Sequence, residues 1–308
     1  MTGRKRQWAS LSPARRREAL SFYLLISPWL IGFLLLTAGP MLYSLYVSFT
    51  HWDLLSDPVW IGLDNYIRKM PNDPRFWQSL KVTLIYTAAY VPLELVGGLF
   101  LALLVQNRIR GIRVFRTIFY LPTVLAGVAF AVVWLWMLNP RSGLVNLALA
   151  QVGINGPRWL LDPDWALPAL LMMTFWGWGR AMVIYLAGLQ AIPSELYESA
   201  AIDGSNAWSN LVYVTIPLLT PTIFFNLILS IISTFQTFTN AFVATNGGPL
   251  DATLFFVLYL YKQAFEFLSM GYAAALAWVL FAIILVFTLL VFRSQRFWVF
   301  YSGERLSE

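Results

Sequence analysis

The 308-residue chain contains no cysteine and a single histidine, His51. The first absence removes disulfide frameworks, thiolate metal sites and cysteine nucleophiles, and the second leaves His51 without a partner imidazole, so no metal site is expected. Charge is also scarce: 12% of the residues are Asp, Glu, Lys or Arg, about half of the roughly 25% that a water-soluble domain carries. A Gly-x-x-x-x-Gly-Lys-Ser/Thr phosphate loop is missing, so ATP hydrolysis is not expected here. Neither a nucleophile with its base nor a metal cluster is written into the chain, which argues against an enzyme.

What fills the space is apolar: 59% of residues are hydrophobic, with 14 Trp and 23 Phe. The net charge of +6 does not point to nucleic acid, because the basic residues form short blocks beside apolar runs instead of one polar face. Six stretches reach the roughly 20 helical residues needed to cross a hydrocarbon core: 20–47, 79–106, 117–138, 166–189, 216–238 and 268–292. Helices are required, because unpaired backbone amides in lipid are costly. The expected fold is therefore an all-α membrane protein with six transmembrane helices over 20–292. A basic tail (1–19) precedes it and a short tail (293–308) follows. No small-residue cleavage site follows the first apolar run, so it reads as a retained span.

Orientation follows from Lys and Arg. Thirteen of them (Arg4, Lys5, Arg6, Arg15, Arg16, Arg17, Arg108, Arg110, Arg113, Arg116, Arg293, Arg296 and Arg305) fall on one side of the six spans. Seven (Arg68, Lys69, Arg75, Lys81, Arg141, Arg158 and Lys262) fall on the other, among Asp53, Asp57, Asp64 and Asp73. The positive-inside rule predicts that both termini are cytoplasmic. One cytoplasmic loop departs from the pattern: residues 190–215 carry Glu195, Glu198 and Asp203 but no Lys or Arg. Either the neighbouring loops already set the orientation, or another protein covers this one.

Within that loop Ser194, after Pro193, is a candidate N-cap, Glu195 suits the positive end of a helix, and Gly204 suits its left-handed close. A two-turn helix over 195–203 is expected, kept thin by Ser199, Ala200 and Ala201, with a second helix starting near Asn206. The result is a helix–turn–helix elbow outside the bilayer.

Tyr197-Glu198-Ser199-Ala200-Ala201-Ile202-Asp203-Gly204, followed by Ile216-Pro217 and Pro221, resembles the Glu-Ala-Ala loop of binding-protein-dependent ABC importer permeases. Ser199, Ser205 and Leu211 depart from that pattern by small or apolar substitutions. Ile61-Gly62-Leu63-Asp64-Asn65-Tyr66 and Phe119-Tyr120-Leu121-Pro122 are similar to further family segments, and Thr245-Asn246-Gly247-Gly248-Pro249 is similar to one of the carbohydrate (maltose/glycerol-phosphate-type) branch. The resemblance implies a type I importer permease in a bacterial or archaeal inner membrane. Its implied partners are a second homologous permease, two ATP-binding subunits that hold ATP and Mg, an external solute-binding protein and a carbohydrate. The Glu-Ala-Ala segment (Glu195, Glu198, Ser199, Ala200, Ala201, Asp203, Gly204) would dock on the ATPase. A secondary transporter or channel would keep the spans but need no such elbow.

Two ionisable residues lie deep in spans, Glu94 and Arg180. Each is twelve residues from the cytoplasmic end of its span (Gln106, Ile192), about 18 Å at 1.5 Å per residue. They can pair, or Glu94 can bond a hydroxyl while Arg180 lines a wet cavity. The stretch from Ser233 to Asn240 is polar for a span, which suits either sugar recognition or interhelical hydrogen bonding. By resemblance to maltose-type permeases, Phe235, Gln236 and Thr239 are implied to line the solute path, with Gly177 and Arg180 contributed by span 4.

Overall fold

A computed structural model describes residues 13–106, 111–124 and 127–300; the predicted topology signals Arg4, Lys5, Arg6, Arg108, Arg110 and Arg305 lie outside them. Helices α1 (Pro13–Phe33) and α2 (Gly39–Ser48) run together through a π turn, Leu34–Ala38, as one apolar rod. Only its far end packs on the rest of the chain, where Val47 and Ser48 are buried. A small antiparallel hairpin follows, β1 (Thr50–His51) with β2 (Val59–Trp60), pairing Thr50 with Trp60 and His51 with Val59.

The bundle is organised around α3 (Pro74–Gln106). Its main neighbours are α8 (Gly179–Gln190) and α11 (Ile216–Phe235). Lipid tails are as apolar as leucine, so helices in a membrane associate through close packing at small residues. Gly97 and Gly98 supply that here: a Cβ at Gly97 would come within 2.3 Å of the Trp178 ring, and one at Gly98 within 2.6 Å of Ala181 Cβ. Two apolar cores result. One gathers Tyr86, Leu170, Phe235, Phe255 and Tyr272, and the other Leu101, Met182, Tyr185 and Leu219. Along α3, Glu94 falls between them.

Four helices are long and apolar enough to cross a membrane (Ala14–Ser48, Pro74–Gln106, Ala207–Ala244 and Met270–Trp298), and the number rises to six if each of two bent pairs is one span. The stretch expected as one helix over 117–138 is divided into α4 (Ile112–Val124) and α5 (Gly127–Met137), inclined at 103°. Pro122, in the last turn of α4, has no amide to extend the ladder. The 166–189 stretch is bent by 42° between α7 (Pro163–Met173) and α8, across a 3-10 turn at Thr174–Gly177. Glycine lowers the cost of leaving the α conformation there. The stretch expected to run to 238 stops at Phe235 and resumes as α12 (Thr239–Ala244). Between α5 and α7 lies α6 (Leu144–Gln151), and α13 (Phe256–Tyr261) precedes the last long helix, α14 (Met270–Trp298).

Candidate functional site

The three interruptions meet around one cavity of about 310 Å³. From α3, Tyr86, Tyr90 and Glu94 face it at a spacing of four, which is one helical stripe. Pro122, Thr123, Gly127 and Phe130 come from α4 and α5. Thr174, Gly177 and Arg180 come from the bend between α7 and α8, and Ser233, Thr234, Thr237 and Asn240 from the broken end of α11 and the start of α12. A helix broken at membrane depth frees carbonyls that need donors. Here Thr237 N–H donates to the freed Thr234 carbonyl at 3.1 Å, while the hydroxyls of Ser233 and Thr234 fold back onto the Ser230 carbonyl within the helix at 3.0 and 2.8 Å.

The charged pair sits in the wall. Arg180 Nη2 donates to Glu94 Oε1 at 3.4 Å, and Ser230 Oγ donates to Glu94 Oε2. The two ends differ in exposure: the Glu94 side chain is 2% exposed and that of Arg180 is 48%.

The span 5 residues implied by resemblance are placed unequally about this cavity. Phe235 does not face the cavity: it is 1% exposed, with its ring 5.2 Å from Phe287 of α14. Gln236 is exposed and also lies off the cavity wall. Because α11 ends at Phe235, the next residues no longer follow a helical rotation, and Thr237 and Asn240 take the inward positions. Thr239 stands at the rim, where a side chain on Gly127 would meet its Cγ2 at 3.3 Å. Gly177 and Arg180 both line the wall. Glu94 is the deep charge expected from the sequence; Tyr86 and Tyr90, which precede it at the same four-residue spacing, are additional wall residues.

The elbow forms a second feature, away from the cavity. Helix α9 (Ser194–Ile202) has no buried residue. Ser194 is its first residue and not its cap; extended Pro193 holds the capping position and makes no side-chain bond. The fixed ring of proline presets entry into the helix without one. At the far end Gly204 has φ of +81°. Ser205 N–H donates to the Ala200 carbonyl at 2.9 Å and Gly204 N–H to the Ala201 carbonyl at 3.1 Å, a Schellman closure. Asn206 then caps α10 (Ala207–Asn210) by accepting from Ser209 N–H at 2.8 Å. The elbow is held to its own base by Tyr197 with Thr215 at 3.0 Å and Ser205 with Asn210 at 2.7 Å. Glu195, Glu198, Ser199, Ala201 and Asp203 are exposed around it, with Ala200 half-buried. Ile202 at 88% and Trp208 at 72% add an apolar surface.

On the opposite side, Asp73 accepts from the hydroxyls of Tyr259 and Tyr272, and Lys69 lies 4.2 Å from the centre of the Tyr272 ring. Burial pushes the Lys69 ammonium below its usual range, against the opposing pull of Asp73. Arg75 Nε bonds Asp251 Oδ2 at 3.1 Å. The Arg75 contact anchors the loop after α12, in which Thr253 Oγ1 donates to the Gly248 carbonyl at 2.6 Å, while the Asp73 and Lys69 contacts tie α13 and α14 to the loop before α3.

Comparison with known proteins identifies the family. Residues 94–299 match the family of the binding-protein-dependent transport system inner membrane component. The probable ABC transporter permease protein YesP of Bacillus subtilis is 43% identical, covering 99% of both chains. The lactose transport system permease protein LacF of Rhizobium radiobacter is 35% identical, over 93% of this chain and 98% of its own. The trehalose/maltose transport system permease protein MalF of Thermococcus litoralis is 32% identical, over 93% and 97%. A chain in the crystal structure of a bacterial ABC transporter involved in the import of alginate shares the fold, with a TM-score of 0.81 over 98% of this chain and 100% of that one at 23% identity. The chain is therefore a multi-pass membrane protein and belongs to the binding-protein-dependent transport system inner membrane component family.

Proposed function

We propose that this chain is the permease subunit of an ATP-driven, binding-protein-dependent sugar importer and forms half of the solute path. The observation that carries the sugar reading is the cavity wall: Tyr, Thr and Ser hydroxyls and the Asn240 amide stand beside aromatic faces at membrane depth. Hydroxyls and amides that both donate and accept match a polyol, and aromatic faces match the C–H faces of its rings. The relatives named for lactose and for trehalose/maltose transport support it. At about 310 Å³ the space is at the lower end of the roughly 300–1,000 Å³ of small-molecule sites, which suits a path completed by a second, homologous permease. Arg180, Gly177, Thr237 and Asn240 are its walls, and Thr239 its rim.

In this reading the chain crosses an inner membrane six times with both termini in the cytoplasm, the two bent pairs counting as one span each. The exposed elbow (Glu195, Glu198, Ser199, Ala200, Ala201, Asp203, Gly204) docks on a separate ATP-binding subunit, which holds ATP and Mg. An external solute-binding protein delivers the sugar to the face carrying the Asp73 and Asp251 contacts. Closure of two ATP-binding subunits moves the elbow and, through it, α11.

Thr237→Val and Asn240→Ala each remove one polar contact from the wall and are expected to lower sugar uptake roughly 3–10-fold. Assembly with the ATPase should be unchanged. Uptake of labelled disaccharides by proteoliposomes holding the complete importer provides the measurement. Full uptake in both variants, or loss of assembly, would assign this segment to packing.

A further inference from the structure

The elbow is not fastened evenly at its two ends. Within α9, Tyr197 and Ala200 are the half-buried positions, three residues apart and so on one face. That face meets the entrance of α11, where Leu211–Thr215 form a π turn that Ile216 N–H closes on the Leu211 carbonyl. Turns of this kind are rare and are places where helices bend. Here side chains span it. Thr215, 5% exposed, gives its hydroxyl proton to the Asn210 carbonyl at 3.1 Å, five residues back. A threonine hydroxyl has one proton to give, so in the 3.0 Å contact with Tyr197 the tyrosine donates. Asn210 Oδ1 also takes Ser205 Oγ at 2.7 Å. The chain Tyr197–Thr215–Asn210–Ser205 thus ties the middle of α9 and its closing corner to one turn. The other end has no such tie. Among the described residues no hydrogen bond crosses from α9 to α8, and residues 191–193 join them through extended Pro193.

We infer that Tyr197 is a positioning residue for transport: its hydroxyl makes the elbow and the start of α11 one rigid lever, hinged at residues 191–193. This rests on the elbow docking on an ATP-binding subunit and specifies where the displacement goes. A π turn left free would absorb that displacement by bending. Bridged from Tyr197 to Thr215 and Asn210, it passes the displacement along α11. The far end of α11 is the one that breaks at Phe235 and sets Ser233 and Thr234 in the cavity wall.

The test uses the complete importer, with its binding protein, in proteoliposomes. The cysteine-free chain takes one spin label at Leu196→Cys on α9 and one at Phe225→Cys on α11, both exposed, attached before assembly with the partner subunits. With Tyr197 intact, their separation is expected to be narrowly distributed and to agree within roughly 1–2 Å before and after trapping with ATP and vanadate. Tyr197→Phe keeps the ring and loses the hydroxyl. Its distribution should broaden, and labelled disaccharide imported per ATP hydrolysed should fall roughly 3–10-fold. Thr215→Ser keeps a hydroxyl and should stay near wild type. Adding Tyr197→Phe to Thr215→Val should cost no more than Thr215→Val alone, because both remove the same bond. A separation that changes with nucleotide while Tyr197 is intact, or a Tyr197→Phe distribution as narrow as wild type, overturns the lever. Uptake and ATP hydrolysis that fall together in Tyr197→Phe, at constant import per ATP, also overturn it and assign the hydroxyl to docking. If none of the disaccharides is imported, the separations decide. Failure of the elbow reading is a different result: no capture of the ATP-binding subunit by a photo-probe at Ala201→Cys in the assembled importer.

Discussion

Gly204→Val is expected to abolish coupling between ATP hydrolysis and solute uptake while the subunit stays in the membrane. A Cβ at this position meets nothing within 4 Å, so sterics with the rest of the chain are not the cause. The cause is the backbone: φ is +81°, and a left-handed conformation costs an ordinary residue roughly 1–2 kcal/mol, more for a β-branched one. The Schellman bonds from Ser205 and Gly204 to the end of α9 then open, and the turn that sets α9 against α10 changes direction. Since α9 has no buried residue, the membrane-embedded part has little reason to notice. Uptake should fall at least tenfold, the equivalent of about 1.4 kcal/mol in the coupled state, with ATPase activity retained. Gly204→Asn, which tolerates the left-handed region, should stay near wild type. Asp203→Lys should act like Gly204→Val by reversing charge at the same corner, and charge reversal at Glu195 should be milder. Normal uptake in Gly204→Val would remove the elbow from the mechanism.

The second large effect is expected at Glu94 and Arg180, and the structure makes it asymmetric. Arg180→Gln leaves a buried carboxylate held by neutral hydroxyls, that of Ser230 foremost; stranding such a charge typically costs about 3–5 kcal/mol. Glu94→Gln leaves a guanidinium that is half exposed to the cavity, where water can solvate it, at about 1–3 kcal/mol. The yield of folded, monodisperse protein extracted from membranes should therefore rank wild type, then Glu94→Gln, then Arg180→Gln. The double variant should recover most of the loss, because no uncompensated charge remains. A double variant no better than Arg180→Gln would mean that the contact contributes nothing.

The four long apolar helices were legible in the chain because hydropathy adds along a segment and does not depend on its neighbours. The elbow was legible for a different reason. Gly204 and Asn206 act on backbone groups one to five residues away, so the left-handed closure and the Asn206 cap follow from local chemistry. Ser194 was misread as a cap because serine and the residue before it compete for that position, and the fixed φ of Pro193 takes it. Facing was not legible. In lipid both sides of a helix are apolar, so hydropathy does not say which side meets protein, and each residue turns the direction by about 100°. Phe235, implied for the solute path by resemblance alone, is packed on Phe287, while Thr237 lines the cavity. The break after Phe235 compounds this, since its position depends on tertiary partners.

The account as a whole stands on the elbow meeting an ATP-binding subunit, and the lack of cysteine makes that contact directly measurable. Ala201→Cys on α9 and Leu55→Cys in the loop after β1, both exposed, each give the isolated subunit one thiol. A benzophenone maleimide is attached before reconstitution with the partner subunits, and adducts are identified by mass spectrometry after illumination. The account predicts that the probe at position 201 captures the ATP-binding subunit and the probe at position 55 does not. Capture of the ATP-binding subunit from position 55, or its absence from the adducts at position 201 in an assembled importer, would contradict it.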